Sequence, residues 1–406
     1  MEFKQKKLAN GLDLVGEVNK SAKSAAVGFF VKTGSRDEPK KINGVSHFLE
    51  HMLFKGTKRL SAIEVSEAFD RTGAQFNAFT SEENTVFYAA VLPEYLVEVT
   101  KLWIELMRPA LRDEDFGIEK DVIKEEIAMY KDLPSHDVID RCRALHFDAH
   151  PCGNSILGTN ESISNLTAEE MRGYFINRYA PNNMVLACAG NFDWEQICAT
   201  IRGACGEWNK QVVERKLEDY GGSRKKERAE KSNLAREHIC LISPAVPAQD
   251  ERRFAASLLA SVVGDDVGSR FFWELVDKAL AETATMQYNP MDGTGAFYSY
   301  IRCSSENVSK VLDTIKGIFE SLSKSSVTED ELKKAKNKIL SALVIKNELP
   351  MGRLIDLGGN WIYLEQYRRI EQDVRDIKAV TTDDIHALIK QFKPGDFTQF
   401  SIGPAQ

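Results

Sequence analysis

Hydrophobic residues in the first half of the chain follow two periods. Alternation with a period of two, which is typical of strands, runs through residues 12–18, 25–33, 74–80 and 85–92, and an apolar run at 184–189 predicts one more buried strand. Amphipathic helical spacing runs through residues 62–72, 94–107, 113–131 and 136–147. This mixture predicts an α+β domain over residues 1–208.

A change of composition separates this half from the next. Residues 209–236 are rich in Lys, Arg and Glu and contain the pair Gly221-Gly222, so they are predicted to be a charged interdomain linker. Beyond it the order of elements is repeated, with predicted strands at 238–243, 283–288 and 295–303 and helices at 252–263, 269–280, 309–321 and 329–349. The sequence therefore predicts a second, related domain over residues 237–406.

One predicted helix carries polar side chains in an apolar setting. Within residues 44–54, His47 and His51 lie one turn apart and Glu50 lies beside them, because consecutive helical residues are about 100° apart. The rest of the helix surface is apolar, which predicts a helix that is buried on all sides. Burying two imidazoles and a carboxylate without partners is costly, and a zinc ion would supply the missing partner.

The pattern His-x-x-Glu-His is the inverted form of a metallopeptidase signature. Two imidazoles can each reach a zinc ion at about 2.0–2.1 Å, and a catalytic site needs a third protein ligand while leaving a position for water. Glu50 is adjacent but is not required as a ligand, so we predict that it accepts the proton of the attacking water. Two ordinary histidines at helical spacing, with no metal, are the alternative at this point.

The predicted helix at 113–131 offers the third ligand. Glu119 and Glu126 fall in the middle of its apolar half, two turns apart, and Glu125 falls at the edge of that face. We therefore predict that Glu126 is the third zinc ligand and that Glu119 orients a ligand or tunes the site. The apolar half is predicted to consist of Ile118, Val122, Ile123, Ile127, Met129 and Tyr130.

These residues resemble the pitrilysin, or M16, family of metallopeptidases, in particular its short-chain branch, which includes the subunits of mitochondrial processing peptidase. The similarity rests on His47-Phe-Leu-Glu50-His51 followed by Glu119 and Glu126, and it extends to segments 54–57, 77–81, 156–159, 181–183 and 189–191. The resemblance implies that each half is an α+β domain with a mostly antiparallel sheet covered by helices. It also implies that two chains of this length close around a chamber.

Residues 74–80 are predicted to pair with substrate. The segment alternates and ends at a polar turn, so it can form an edge strand whose free N–H and C=O groups pair with an extended peptide. The resemblance implies the same role, because the family binds substrate as an added strand beside the zinc. Asn77 and Ala78 lie at the matching positions, and Phe76, which precedes them, is also predicted to bind substrate. An ordinary hairpin strand is the alternative.

The second half departs from the family pattern. Family members that complete a partner's site carry an Arg and a Tyr after a Ser-Arg-[Leu/Phe]-Phe motif, and these two residues hold the substrate backbone. Aligning from the motif at 269–272 places Val276 and Thr283 at the two positions. We therefore expect a heterodimer in which a second M16-like subunit supplies the Arg and Tyr, rather than a homodimer.

Composition and charge exclude several classes of function. The chain has 406 residues and a formal net charge of −7, which argues against a nucleic-acid partner. No apolar run approaches the roughly 18 residues of a membrane span, and the first residues show no signal or transit pattern. Seven scattered cysteines without a Cys-x-x-Cys pair are typical of a reducing compartment. The expected location is the cytoplasm.

The predicted function is that of a zinc metalloendopeptidase subunit that hydrolyses peptides or unfolded small proteins. Three alternatives remain open, namely a peptidase dedicated to maturing one precursor, a scaffold subunit without activity, and a peptide-binding protein with structural zinc. A scaffold would be expected to have lost zinc residues that are intact here. A structural zinc site would have four protein ligands and no open position.

Overall fold

The computed structural model describes residues 1–405, and the chain divides into two compact units. The first unit consists of Met1–Ala128, Asn154–Arg215 and Val344–Arg368. The second consists of Met129–Gly153, Lys216–Leu343 and the chain from Arg369 onward. No helix among the described residues is long and apolar enough to cross a membrane.

The sheet of the first unit has six strands, namely β1 (Glu2–Lys7), β2 (Asp13–Val18), β3 (Ala25–Val31), β4 (Gln75–Thr80), β5 (Thr85–Val91) and β6 (Met184–Gly190). Their order is β1-β2-β6-β3-β5-β4. β2 and β6 pair in parallel, and the other pairs are antiparallel. Every residue of β3 and β6 is buried, as expected for central strands that are covered on both faces, whereas β4 is half-exposed.

Helices cover both faces of this sheet. On one face they pack around Phe29, Phe48, Phe87 and Trp103, and these helices are α1 (Val45–Leu53), α2 (Ala62–Thr72), α3 (Leu96–Leu106), α4 (Asp113–Asp132), α6 (Asn160–Asn165), α7 (Ala168–Arg178) and α8 (Trp194–Cys205). The other face is covered by α12 (Pro350–Leu364), whose Leu354 and Trp361 pack against the sheet. The zinc-motif helix α1 is therefore held between the sheet and its neighbouring helices.

The sheet of the second unit has five strands, β7 (Lys226–Glu230), β8 (Glu237–Pro244), β9 (Thr283–Pro290), β10 (Gly295–Cys303) and β11 (Thr398–Gly403), in the order β7-β11-β8-β10-β9. β7 and β11 pair in parallel, and the other pairs are antiparallel. One face is covered by α9 (Arg253–Gly264), α10 (Val308–Ser325), α11 (Glu329–Asn347), α13 (Ile370–Ala379) and α14 (Thr382–Gln391). The other face is covered by α5 (Pro134–Phe147).

The two units exchange one helix each. α5 packs on the second sheet although it follows α4 in the sequence, and α12 packs on the first sheet although it follows α11. Both helices begin at a Leu-Pro pair with proline in the first turn, as helix starts allow. Arg353 of α12 donates to both carboxylate oxygens of Glu17 on β2, at 2.8 and 2.5 Å. The sequence predicted two domains that follow one another along the chain, with a linker at 209–236, whereas each unit here consists of three separate segments. Local patterns could not predict this, because the placement of α5 and α12 depends on long-range packing.

The predicted fold class is confirmed, since each unit has a mostly antiparallel sheet covered by helices. Two local predictions are wrong. The helix predicted at 269–280 is a short π-helix, Phe272–Val276, followed by turns. The predicted linker contains β7, which pairs through its backbone with β11. The charged side chains of β7 gave no hydrophobic pattern from which a strand could be predicted. The elements β1, α6, α7, α8, α12, α13, α14 and β11 were not predicted.

Candidate active site

A buried carboxylate fixes the N-terminus of α1. Glu38 accepts hydrogen bonds from the backbone N–H of Gly44 at 2.6 Å, from that of Ser46 at 2.7 Å and from the side-chain amide of Asn43 at 2.8 Å. Gly44 has a φ of +94°, and a side chain there would meet the carbonyl oxygen of Leu157 at 2.6 Å. Only glycine suits this position, so the start of α1 is held in one orientation.

The predicted burial of α1 on all sides is confirmed for seven of its nine residues. The two partly exposed residues are Glu50 and His51. His47 lies one turn before His51 and is buried, with 8% of its surface exposed. The helix therefore opens to solvent only where the sequence places its chemically active groups.

Helix α4 brings two carboxylates to α1. Glu119 is buried, Glu126 is half-buried and Glu125 is exposed, in line with the predicted orientation of the three. The predicted extent of the apolar face is wrong, because Ile118, Val122 and Met129 are 64%, 44% and 52% exposed. Only a narrow stripe of α4 contacts the core, and a helical wheel does not show how much of a wide apolar surface neighbouring elements cover.

His47, His51 and Glu126 converge on one point. Oε2 of Glu126 lies 3.7 Å from Nε2 of His47 and 3.6 Å from Nε2 of His51. The three potential ligand atoms lie within 4.8 Å of one another, and within residues 1–405 no other group of three His, Cys, Asp or Glu side chains is placed to hold a metal ion. The structure therefore brings together the three residues predicted as zinc ligands.

These spacings fit a cation better than hydrogen bonds. The separations of 3.6 and 3.7 Å exceed the upper limit of about 3.2 Å for an N–H···O bond. Oε2 of Glu126 is buried yet accepts no hydrogen bond within residues 1–405. Donors about 2.0–2.1 Å from a tetrahedral ion lie about 3.3–3.4 Å apart, so a small adjustment would bring all three to zinc. Two imidazoles and one carboxylate are a donor set of catalytic zinc sites, which keep a position open for water.

The protonation state of His47 favours metal binding. Burial lowers the pKa of His47 to about 3, so its imidazole is neutral at pH 7 and keeps a lone pair for a ligand bond. Burial raises the pKa of Glu126, because a buried carboxylate resists ionisation when no cation lies beside it. A bound cation would reverse that effect by stabilising the charged form.

Glu119 orients His51. Oε1 of Glu119 lies 2.7 Å from Nδ1 of His51, and Oε2 lies 2.5 Å from Nζ of Lys55. Burial opposes ionisation of Glu119, but its hydrogen bonds with His51 and Lys55 outweigh burial and lower its pKa. An ionised carboxylate only accepts, so Nδ1 of His51 donates to Glu119, and Nε2 is the nitrogen that faces Glu126. Lys55 was not predicted, although it lies one turn after His51 and hence on the same side.

Glu50 is also held by a residue that was not predicted. Oε2 of Glu50 accepts a hydrogen bond of 2.5 Å from Oγ1 of Thr80, the last residue of β4. Burial raises the pKa of Glu50. The strand period places Thr80 on the same face as Phe76, which stacks on Phe69 in the core. The signal in the sequence that could have identified Thr80 was therefore a polar residue on the core-facing side of this strand.

The predicted edge strand is confirmed, because β4 lies at the end of the sheet. Asn77 is exposed there, and its Oδ1 accepts a hydrogen bond of 2.9 Å from the backbone N–H of Ala78. Phe76 directs its ring towards the core. On the outer edge of β4, the backbone N–H of Ala78 is therefore bonded to a side chain of the same strand. A carbonyl oxygen of an added strand could take the place of that side chain.

Val276 and Thr283, the two positions in the second unit that differ from the family pattern, both lie at the ends of secondary-structure elements. Val276 ends the π-helix Phe272–Val276, and Thr283 is the first residue of β9, the edge strand of the second sheet. Tyr288, further along β9, donates its hydroxyl to the carbonyl oxygen of Val246 at 2.9 Å. Val276 has no side-chain donor, and Thr283 keeps a hydroxyl donor but on a much shorter side chain than the Tyr expected there.

The fold, the three converging ligands and the adjacent carboxylate are those of the zinc-metallopeptidase class. The chain belongs to peptidase family M16. Residues 14–160 match the family described as Insulinase (Peptidase family M16), and residues 165–339 match the domain described as Peptidase M16 inactive domain.

Known proteins resemble this chain over its full length. A protein from Bacillus subtilis named an uncharacterized zinc protease is 30% identical over 98% of this chain and 97% of its own length. A protein of the same description from Mycobacterium tuberculosis is 30% identical over 98% of this chain and 92% of its own length. The crystal structure of a protease from Helicobacter pylori has a TM-score of 0.89 at 21% identity, covering 99% of each chain. The two relatives named zinc proteases support a peptidase with zinc as its metal, and the structural likeness shows the shared fold.

Proposed function

We propose that this chain is the catalytic subunit of a zinc metalloendopeptidase that hydrolyses peptides or unfolded small proteins inside a closed chamber. One observation carries the proposal: His47, His51 and Glu126 converge as three ligands, with the carboxylate of Glu50 on the adjoining turn of α1. The names of the relatives, which describe zinc proteases, support the same reaction class.

Each residue of the site has a separate role in this proposal. His47, His51 and Glu126 would hold a zinc ion, which polarises the scissile carbonyl and lowers the pKa of the attacking water. Glu50 accepts the proton of that water and then donates a proton to the departing amine. Glu119 keeps His51 in the tautomer whose Nε2 is free to bind metal.

The substrate backbone pairs with the outer edge of β4. An extended peptide placed there forms main-chain hydrogen bonds with the strand, and its alternate side chains point away from the sheet. The N–H of Ala78 becomes available when the side chain of Asn77 turns away from it. Phe76 contributes its backbone, because its ring is directed into the core.

Two alternatives lose support from the site itself. A purely structural zinc site needs four protein ligands, whereas the group formed here by described residues has three. A scaffold subunit has no need of a metal site, yet the complete ligand set is present. A peptidase dedicated to one precursor would use the same residues and would differ only in the substrates it accepts.

The metal assignment can be tested directly. The purified chain is expected to bind about one zinc ion and to cleave an unstructured peptide only when zinc is present, because each of the three ligands contributes to holding the ion. His47→Ala and His51→Ala are each expected to release the zinc, measured as metal content after dialysis. His386→Ala, which removes a partly exposed histidine on α14, is the matched control and should retain zinc. Unchanged zinc content in both site variants would overturn the assignment.

We further propose that a second M16-like subunit supplies the Arg and Tyr that Val276 and Thr283 replace. The isolated chain is then expected to hydrolyse peptides weakly or not at all, because nothing fixes the substrate backbone in a near-attack geometry. Mixing it with a family member that carries both residues should raise kcat/KM. Full activity of the isolated, homogeneous chain would contradict this proposal and leave the zinc assignment intact.

A further inference from the structure

We propose that Thr80 is a positioning residue that holds the carboxylate of Glu50 through Oε2, so that Oε1 is the oxygen left to exchange protons with substrate and water. The inference rests on the function proposed above. Its basis is the hydrogen bond of 2.5 Å between Oγ1 of Thr80 and Oε2 of Glu50. Thirty residues separate the two in the sequence, so the contact exists only because β4 packs beside α1.

The single hydroxyl proton of Thr80 is directed to Glu50. Its other neighbour is Oγ1 of Thr85, which lies 3.5 Å away across the hairpin. Thr85 uses its own proton on the carbonyl oxygen of Thr33 at 3.0 Å. A hydroxyl has one proton to donate, and the shorter contact to an acidic oxygen is the stronger one. Oε2 of Glu50 is therefore engaged as long as Thr80 stays in place.

The turn after Thr80 is held on several sides. Within the turn, the N–H of Ser81 donates to the carbonyl oxygen of Asn84 at 2.8 Å. Glu83 forms a buried ion pair with Arg36 and accepts a hydrogen bond of 2.8 Å from the hydroxyl of Tyr363. A positioning group acts well only when its own support is rigid. These contacts give Thr80 that support.

The same strand serves substrate and base. Asn77 and Ala78 lie on the open edge of β4, where a peptide would pair, and Thr80 lies two residues beyond Ala78 on the face that meets α1. The backbone of β4 therefore sets both the position of a paired peptide and the orientation of the Glu50 carboxylate. This arrangement keeps the proton-accepting oxygen in constant relation to the peptide that β4 aligns.

Thr80→Val tests the proposal, because valine keeps the shape and removes the hydroxyl. We expect kcat to fall between about tenfold and 100-fold, the range for losing a hydrogen bond to an ionised group that sets orientation. KM and zinc content should stay within about twofold of the unchanged protein, since neither β4 pairing nor the metal ligands are altered. Thr80→Ser, which restores a donor, should recover most of the lost kcat.

Two controls separate positioning from folding. Thr85→Val removes the hydroxyl of the residue directly opposite and should leave kcat within about twofold, because that hydroxyl does not contact Glu50. In a Glu50→Gln background, Thr80→Val should cause no further loss, because both changes affect one interaction. An unchanged kcat in Thr80→Val, or an equal further loss in the Glu50→Gln background, would overturn the proposal.

A structural measurement distinguishes failure of this inference from failure of the proposed function. In crystal structures of the zinc-loaded protein, Glu50 should keep its contact with Thr80 and should adopt other rotamers in Thr80→Val. If the unchanged protein cleaves no peptide even when it is mixed with a family member that carries the Arg and Tyr, the proposed function fails, and the crystal structures alone decide about Thr80. An unaltered Glu50 rotamer in Thr80→Val would refute the positioning role even in an active enzyme.

Discussion

Glu50→Gln is expected to abolish most peptidase activity while zinc stays bound. The amide has nearly the same shape as the carboxylate but cannot accept the proton of the attacking water, and loss of a general base typically lowers turnover by about 10²–10⁴-fold. His47, His51 and Glu126 remain in place, so the metal content should stay at about one zinc ion per chain. The measurements are kcat on an unstructured peptide and zinc content on the same sample.

Glu67→Gln is the matched control for that experiment. Glu67 is an exposed residue of α2, so the same chemical change there should leave both activity and zinc content unaltered. Retention of more than about a tenth of kcat in Glu50→Gln would show that another group acts as the base. Loss of zinc in that variant would mean instead that Glu50 is itself a ligand.

Glu126→Gln is expected to weaken zinc binding itself. The variant loses one of three protein ligands and the negative charge that faces both imidazoles, at 3.6 and 3.7 Å. The loss of affinity should exceed the 10–100-fold that follows when a group that merely orients a ligand is removed. Competition with a chromophoric chelator measures the affinity, and peptidase activity should fall in parallel at limiting zinc.

Glu125→Gln provides the comparison, because Glu125 is the neighbouring residue on α4 but is exposed. Its substitution should leave zinc affinity within about twofold, as expected for a surface carboxylate without a role in the site. If Glu125→Gln released the metal and Glu126→Gln did not, the orientation of α4 would be wrong by one position.

Much of the secondary structure could be predicted from local patterns. The helix at 62–72 and the strand at 295–303 were predicted with the bounds that the structure has. Strand β4 was expected at an edge, and it lies at one. Such predictions succeed where a period of two or 3.6 residues reflects burial of one face. The helix predicted at 269–280 lacks this support, because its backbone follows i→i+5 hydrogen bonds, such as that from Asp277 to Phe272.

Residue spacing placed the candidate ligands of each helix on one side of that helix. His47 and His51 are one turn apart on a single helix, and the phase of α4 points Glu119 and Glu126 to one side. Helical geometry fixes such relations whatever the helix packs against. The sequence therefore determined which side chains of each helix could act together, as well as the motif that indicates zinc chemistry.

Tertiary structure decided the rest. The contact of Thr80 with Glu50, the three hydrogen bonds of Glu38 at the start of α1, and the exchange of α5 and α12 all join segments that no local period relates. The exposure of Ile118, Val122 and Met129 likewise depends on which neighbours cover α4. A local pattern indicates which face of a helix or strand is apolar. Packing between distant segments determines which element covers that face and how much of it stays exposed to solvent.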